Sequence, residues 1–172
     1  TMDSEAYEHM QSAGETYNEK LYLDALTGIY NRRYYEDKLR TRTMAAGIAW
    51  IDVDDFKYIN DNYGHAAGDI AICACADILK KAAGVHGIAG RLGGDEFALM
   101  MIGDETRAIE LMETVQKEIA MYNAQGKNKF AIDMSVGCQI VLCTEELSIP
   151  MVLEKTAKEC LKQKYDKPDI LM

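Results

Sequence analysis

The stretch "IAGRLGGDEFALMMI", residues 88–102, constrains the fold more than any other in the chain. Two apolar runs flank a glycine pair, Gly93 and Gly94, with two carboxylates, Asp95 and Glu96, directly after it. Strand, Gly-Gly turn, strand is a hairpin signature. A hairpin in mid-chain excludes a purely parallel, doubly wound sheet, in which helical crossovers join the strands. The carboxylates raise a second question. Either they keep the turn in water, or they hold something.

The flanking segments supply the rest of the architecture. "AAGIAWIDVDD", 45–55, is an apolar run ending in acids, a buried strand whose C-terminal end reaches solvent. Residues 68–84 predict a helix, apolar at 70, 72, 75, 78, 79 and 82, with lysines in its last turn and Gly84 just beyond. A second amphipathic helix is expected over 31–44, burying Tyr34, Tyr35 and Leu39. A third, over 104–122, turns Ile109, Met112, Val115 and Ile119 inward. Residues 129–143 read as a strand or strand pair. Ser148 caps a last helix over 150–164, where Pro150 suits the first turn. The order favours an α+β sandwich, with helices outside a mainly antiparallel sheet.

Near the N-terminus, Tyr7, Met10, Gly14, Tyr17 and Leu21 are spaced 3, 4, 3, 4. That heptad-like stripe lasts about two heptads and fits either a signalling helix from an upstream domain or a helix packed on this one. A net charge of −9 over 172 residues argues against a nucleic-acid backbone or an anionic membrane as primary partner. No apolar run approaches the roughly 18–20 residues that span a bilayer. Five cysteines without a Cys-x-x-Cys read as reduced thiols in a reducing, cytoplasmic setting.

Two acidic clusters stand at strand edges. Period two puts Asp52 and Asp54 on one face and Val53 on the other; it turns Asp95 and Glu96 to opposite faces. If the two strands are neighbours, Asp52 and Asp95 converge on one hard cation, for which magnesium fits an all-oxygen site.

Four segments in order then carry a resemblance: "DALTGIYNRR" at 24–33, "DVDDFKYINDNYGHAAGD" at 52–69, "RLGGDEF" at 91–97 and "MSVG" at 134–137. The chain resembles the GGDEF family, the diguanylate cyclases. The resemblance implies a palm-like, mainly antiparallel sheet flanked by helices, related to class III nucleotide cyclases, with a ferredoxin-like core. It implies a GGDEF domain over 24–172 preceded by a signalling or linker helix over 1–23. The implied reaction condenses two GTP into cyclic di-GMP and two pyrophosphates. Asp52, Asp95, Glu96 and the Val53 carbonyl would hold two Mg²⁺ (or Mn²⁺) per active half-site, with Asp95 or Glu96 as the base. Lys57, the backbone N–H groups of Asp55 and Phe56, and Lys164 would contact the triphosphate.

Asn60 and Asp69, with His65 closing the loop or touching substrate, would read guanine. A carboxylate accepts from both guanine N1–H and its exocyclic amine, whereas adenine offers it an unpaired acceptor. The product needs two facing GTPs, so the implied unit is a homodimer. It would be the cytoplasmic output domain of a bacterial signalling protein, governed by an upstream sensory domain, without nucleic-acid or membrane contact of its own. Arg91, Arg32 and Arg33 fit either phosphate contact or a structural tie through a carboxylate, and Asp24 and Thr27 fit the entering turn.

The pattern is broken in two places. Gly84 and Gly87 occupy the Arg and Asp positions of the family's Arg-x-x-Asp inhibitory product site, so none is expected here. In the last helix Lys158 replaces an aspartate and Tyr165 a phosphate-reaching lysine, for which Lys164 would have to substitute. That second change supports an alternative reading, a GTP-binding regulatory module with weak or no turnover.

Overall fold

The computed structural model describes residues 20–40, 44–102, 105–143 and 148–166, with 44–46, 102, 105, 140–143 and 162–166 as backbone only. The heptad-like stripe up to Tyr17 therefore lies outside the described residues. Among the described residues these elements follow in order: β1 (Tyr30–Asn31), α1 (Arg32–Asp37), β2 (Met44–Val53), α2 (Phe56–Tyr63), α3 (His65–Ala83), β3 (Gly87–Gly93), β4 (Glu96–Ile102), α4 (Glu105–Ala124), β5 (Met134–Cys143) and α5 (Ile149–Asp166).

The strands form one sheet in the order β1-β3-β4-β2-β5. Only the two-residue β1 runs parallel to its neighbour, so the sheet is mainly antiparallel, as the hairpin required. β2 lies between β4 and β5. Its apolar run is continuous because both faces are covered. Ala49, Ile51 and Val53 face a core shared with α3 and α4; Ile48 and Trp50 face a second core shared with α1 and α5. β4 alternates in the same way, with Phe97, Leu99 and Met101 on the first side and Ala98 and Met100 on the second. This parity decides where the acids at the strand ends point. Among the described residues no helix is long and apolar enough to cross a membrane, and Cys73, Cys75, Cys138 and Cys160 are free thiols.

Several local expectations shift. The helix expected over 31–44 ends at Asp37, yet Tyr35 and Leu39 are still buried and Tyr34 is half-buried. α3 starts at His65, which leaves Ile70 in its first turns 49% exposed. In α4 the stripes 109-112-115-119 and 108-111-115-119 both satisfy helical spacing. The structure selects the second, burying Ala108 and Leu111 and leaving Ile109 52% exposed. Residues 129–133 are irregular, and of the strand or strand pair expected over 129–143 the structure has the single strand β5. Ser148 is buried directly before α5, which runs slightly past the expected range at both ends.

Candidate active site

The β2–β4 register sets Asp52 opposite Glu96. By the parity above, Asp52 continues the Ile48–Trp50 face and Glu96 the Ala98–Met100 face, so both carboxylates leave the sheet on the α1/α5 side. The two-residue turn between β3 and β4 is Gly94–Asp95, with Gly93 the last residue of β3. Gly94 has φ +28, a backbone region that side chains disfavour. The Val53 N–H donates to the Asp95 carbonyl at 3.0 Å, which stitches this turn to the end of β2.

One carboxylate oxygen from each of Asp52, Asp95 and Glu96 lies within 4.8 Å of the others, and all three residues are half-buried. The expectation that Asp95 and Glu96 point to opposite faces is therefore corrected. Asp95 sits in the turn, outside the ladder, where strand alternation no longer applies. Three carboxylates this close repel one another, and a hard divalent cation with oxygen ligands relieves that repulsion.

Asp54 does not join them. It lies past the end of β2, 6% exposed, and accepts a 2.5 Å hydrogen bond from the Ser135 hydroxyl on β5. Its own N–H donates to the Asp133 carbonyl at 2.9 Å. Asp55 follows in a left-handed conformation (φ 55, ψ 28) at the N-cap position of α2. The chain thus turns sharply from β2 into the head of α2, where Asp55, Phe56 and the exposed Lys57 stand together.

Further along α2, Asn60 is half-buried with its amide against Gly68 of α3. A Cβ on Gly68 would overlap that amide, so this glycine makes room for Asn60. His65 opens α3 and Asp69 lies one turn further on, both exposed. The structure therefore brings Asn60 and the Asp69 segment together. Lys164 lies on α5, with its side chain outside the described residues.

Arginines brace the hairpin. Arg91 donates from Nε and Nη2 to the Gly94 carbonyl at 3.0 and 2.8 Å, and from Nη1 to both Asp24 oxygens at 3.4 and 3.3 Å. Asp24 also accepts from the Thr27 N–H and hydroxyl at 2.9 and 2.7 Å, so this pair shapes the entering turn. Burial pushes the Asp24 carboxyl up, but the Thr27 hydrogen bonds and the Arg91 charge outweigh it and hold it below its ordinary value. Arg32 donates to the Leu92 carbonyl at 3.1 Å and lies over the Trp50 ring. Its Nη2 is 3.9 Å from Glu96, a cation at the rim of the acidic cluster. Arg91 and Arg32 are thus structural ties. Arg33 is exposed on a cavity of about 610 Å³ between α1 and the hairpin.

Gly84 and Gly87 flank the turn between α3 and β3. They line a cavity of about 440 Å³ with Tyr30, Tyr34 and Lys80, and its lining holds neither an arginine nor a carboxylate. Sequence reasoning missed the Arg32–Glu96 approach and the Ser135–Asp54 bond. "MSVG" hinted at the second, but only the β2–β5 pairing shows what its serine does.

The profile described as diguanylate cyclase, GGDEF domain, matches residues 21–168. The probable diguanylate cyclase DgcC of Escherichia coli K12 is 36% identical over 122 residues, covering 66% of this chain and 33% of that protein. This chain spans about a third of the length of the curated relatives it first matches. Two solved structures share the fold. Diguanylate cyclase SiaD of Pseudomonas aeruginosa, in complex with its activator SiaC, superposes with a TM-score of 0.79 at 23% identity, covering 98% of this chain and 67% of that one. The GGDEF domain of DgcB from Caulobacter crescentus, in complex with c-di-GMP, gives 0.72 at 24% identity, covering 86% and 92%. The α+β palm-like sheet of nucleotide cyclases is thereby identified.

Proposed function

This chain belongs to the GGDEF domain family of diguanylate cyclases, and from that premise we propose that it condenses two GTP into cyclic di-GMP and two pyrophosphates across a dimer. The observation that carries the reading is the convergence of Asp52, Asp95 and Glu96 within 4.8 Å at the end of a stitched hairpin. These three half-buried carboxylates, with the Val53 carbonyl, would hold a pair of Mg²⁺ or Mn²⁺ ions. When bound, the ions supply Lewis-acid polarisation of the α-phosphate and lower the pKa of the attacking 3′-hydroxyl.

The chain's own residues do the rest. Asp95 or Glu96 accepts the 3′-hydroxyl proton. The N–H groups of Asp55 and Phe56, at the head of α2, donate to phosphate oxygens, and Lys57 adds a point charge on a flexible stem. Lys164, carried on α5, is the second lysine assigned to the triphosphate. Asn60 and Asp69 read the guanine edge, and His65 closes the loop beside them. Each 3′-oxygen attacks the α-phosphorus of the facing GTP. Two phosphodiester bonds form, two pyrophosphates leave, and two protons pass to the bases. One domain holds half of this reaction, so a second copy is its partner. Residues 1–23 act as the link to a sensory domain, and 24–172 as a cytoplasmic output domain.

A regulatory GTP-binding module is the second reading, supported by Tyr165 and Lys158 in place of the family's lysine and aspartate. Incubation of the chain with GTP and Mg²⁺, at concentrations that populate a dimer, separates the two by chromatography. Cyclic di-GMP from the wild type and none from Asp95→Ala supports the cyclase. GTP bound without product supports the regulatory module, and neither binding nor product sinks both.

A further inference from the structure

We propose that Cys160 is a positioning residue for Asp52, an inference that rests on the metal-binding reading above. It begins with how closely α5 approaches the sheet. A Cβ on Gly137 of β5 would overlap the Thr156 carbonyl oxygen and press on the Cys160 amide nitrogen. The α5 backbone therefore lies on bare β5 backbone at this point, and that contact brings the Cys160 side chain down to the ends of β2 and β5.

The thiol is fully buried there. Its Sγ is 3.1 Å from the Ser135 carbonyl and 3.8 Å from Asp52 Oδ2. Ser135 is the ladder partner of Asp52 across the β2–β5 pair, and its hydroxyl donates to Asp54. One S–H thus lies between two oxygens of adjacent strands, in a frame closed on the far side by the Ser135–Asp54 bond. A thiol is a weak donor, but an ionised carboxylate is the stronger of its two acceptors. The consequence is directional. Cys160 limits how far the Asp52 carboxylate swings back toward α5, and so keeps it turned to Asp95 and Glu96. Groups that orient metal-binding carboxylates in this way govern metal affinity without touching the metal.

The test is Mn²⁺ binding to the nucleotide-free chain, read as loss of the free Mn²⁺ electron paramagnetic resonance signal, for wild type, Cys160→Val, Cys160→Ser and Asp52→Asn. Cys160→Val should bind Mn²⁺ about fivefold more weakly, less than the roughly 10–100-fold typical of groups that orient metal ligands, because a thiol is a weak donor. Cys160→Ser, which keeps a donor, should return to within about twofold of wild type. If Val does not melt cooperatively, Cys160→Ala carries the same comparison. Wild-type affinity in the apolar variant, with Asp52→Asn strongly impaired, overturns the positioning role alone. So does an equal loss in the Ser and Val variants, which marks packing rather than donation. Unchanged binding in Asp52→Asn overturns the metal reading beneath it.

Discussion

Two glycine turns bracket β3, and they have opposite characters. At its start, Gly84-Val85-His86-Gly87 joins α3 to the strand, with Val85 92% exposed. At its end, Gly94–Asp95 is held by Arg91, by the Val53 N–H and by the facing strand that carries Asp52. Both turns have the backbone freedom that glycine provides. Among the described residues, it is the second whose neighbours across the sheet bring carboxylates together and convert freedom into a fixed constellation. A glycine-rich turn is therefore permissive, and the strand beside it decides whether a site results.

The strongest way to break this contrast is at the facing strand. Asp52→Asn leaves the turn intact and removes a carboxylate from the cluster; cyclic di-GMP formation should fall on the order of 10³-fold, the scale of losing one electrostatic catalytic group. A rate within tenfold of wild type would show that the hairpin suffices without β2. Next in size is Arg91→Ala. It leaves the Gly94 carbonyl and Asp24 without their guanidinium, in an ion pair whose side chains are only 18% and 20% exposed. A loss of about 2 kcal/mol is expected from hydrogen bonds with charged partners, measured by denaturant unfolding, with roughly tenfold lower turnover. Val85→Ser at the other turn should stay within about 0.5 kcal/mol. Equal effects at both turns would erase the distinction.

A smaller effect follows from pH. The folded chain holds the Asp24 carboxyl below its ordinary value of 3.8, because it binds the ionised form through Thr27 and Arg91. A depressed carboxylate pKa adds stability that is complete above the unfolded value and disappears as pH falls through the folded one. The melting temperature of the wild type should therefore drop more steeply below about pH 4 than that of Asp24→Asn, with the variant the less stable above about pH 5. Parallel acid limbs would mean that Asp24 braces the hairpin without its charge.

The hairpin, the both-faces-buried β2 and the α3 helix were legible because each is a local pattern with a single period. The phase of α4 was not, since Ile109 and Ala108 begin equally good stripes and only packing chooses between them. The acidic site was half legible. Asp52 and Asp95 could be paired from strand ends, but alternation misplaced Asp95 relative to Glu96, because a turn residue obeys no strand parity. The partners of Asp54, Glu96 and Cys160 lie between 60 and 110 residues away or arrive from other elements, as with Ser135 at a separation of 81 and Asp52 at 108. No spacing rule reaches that far.

The smallest effect expected is none, and it tests the quieter turn. Cyclic di-GMP carries two phosphates, and a site for it near Gly84 and Gly87 would need cations and a carboxylate in fixed positions. The cavity there offers Lys80 as its one charged side chain, beside a Tyr30–Tyr34 stack with centroids 3.8 Å apart. Adding the missing groups would meet resistance from the backbone: a Cβ on Gly87 would lie 2.9 Å from the Met100 carbonyl oxygen, and Gly84 has φ +55. Titrating cyclic di-GMP into the chain by calorimetry should therefore give no saturable heat at this turn, and added product should leave initial rates unchanged. Inhibition that survives Lys80→Ala would place the product elsewhere. Inhibition abolished by Lys80→Ala would show that this turn has a ligand after all, and that a lysine and two tyrosines can do what an arginine and an aspartate do elsewhere in the family.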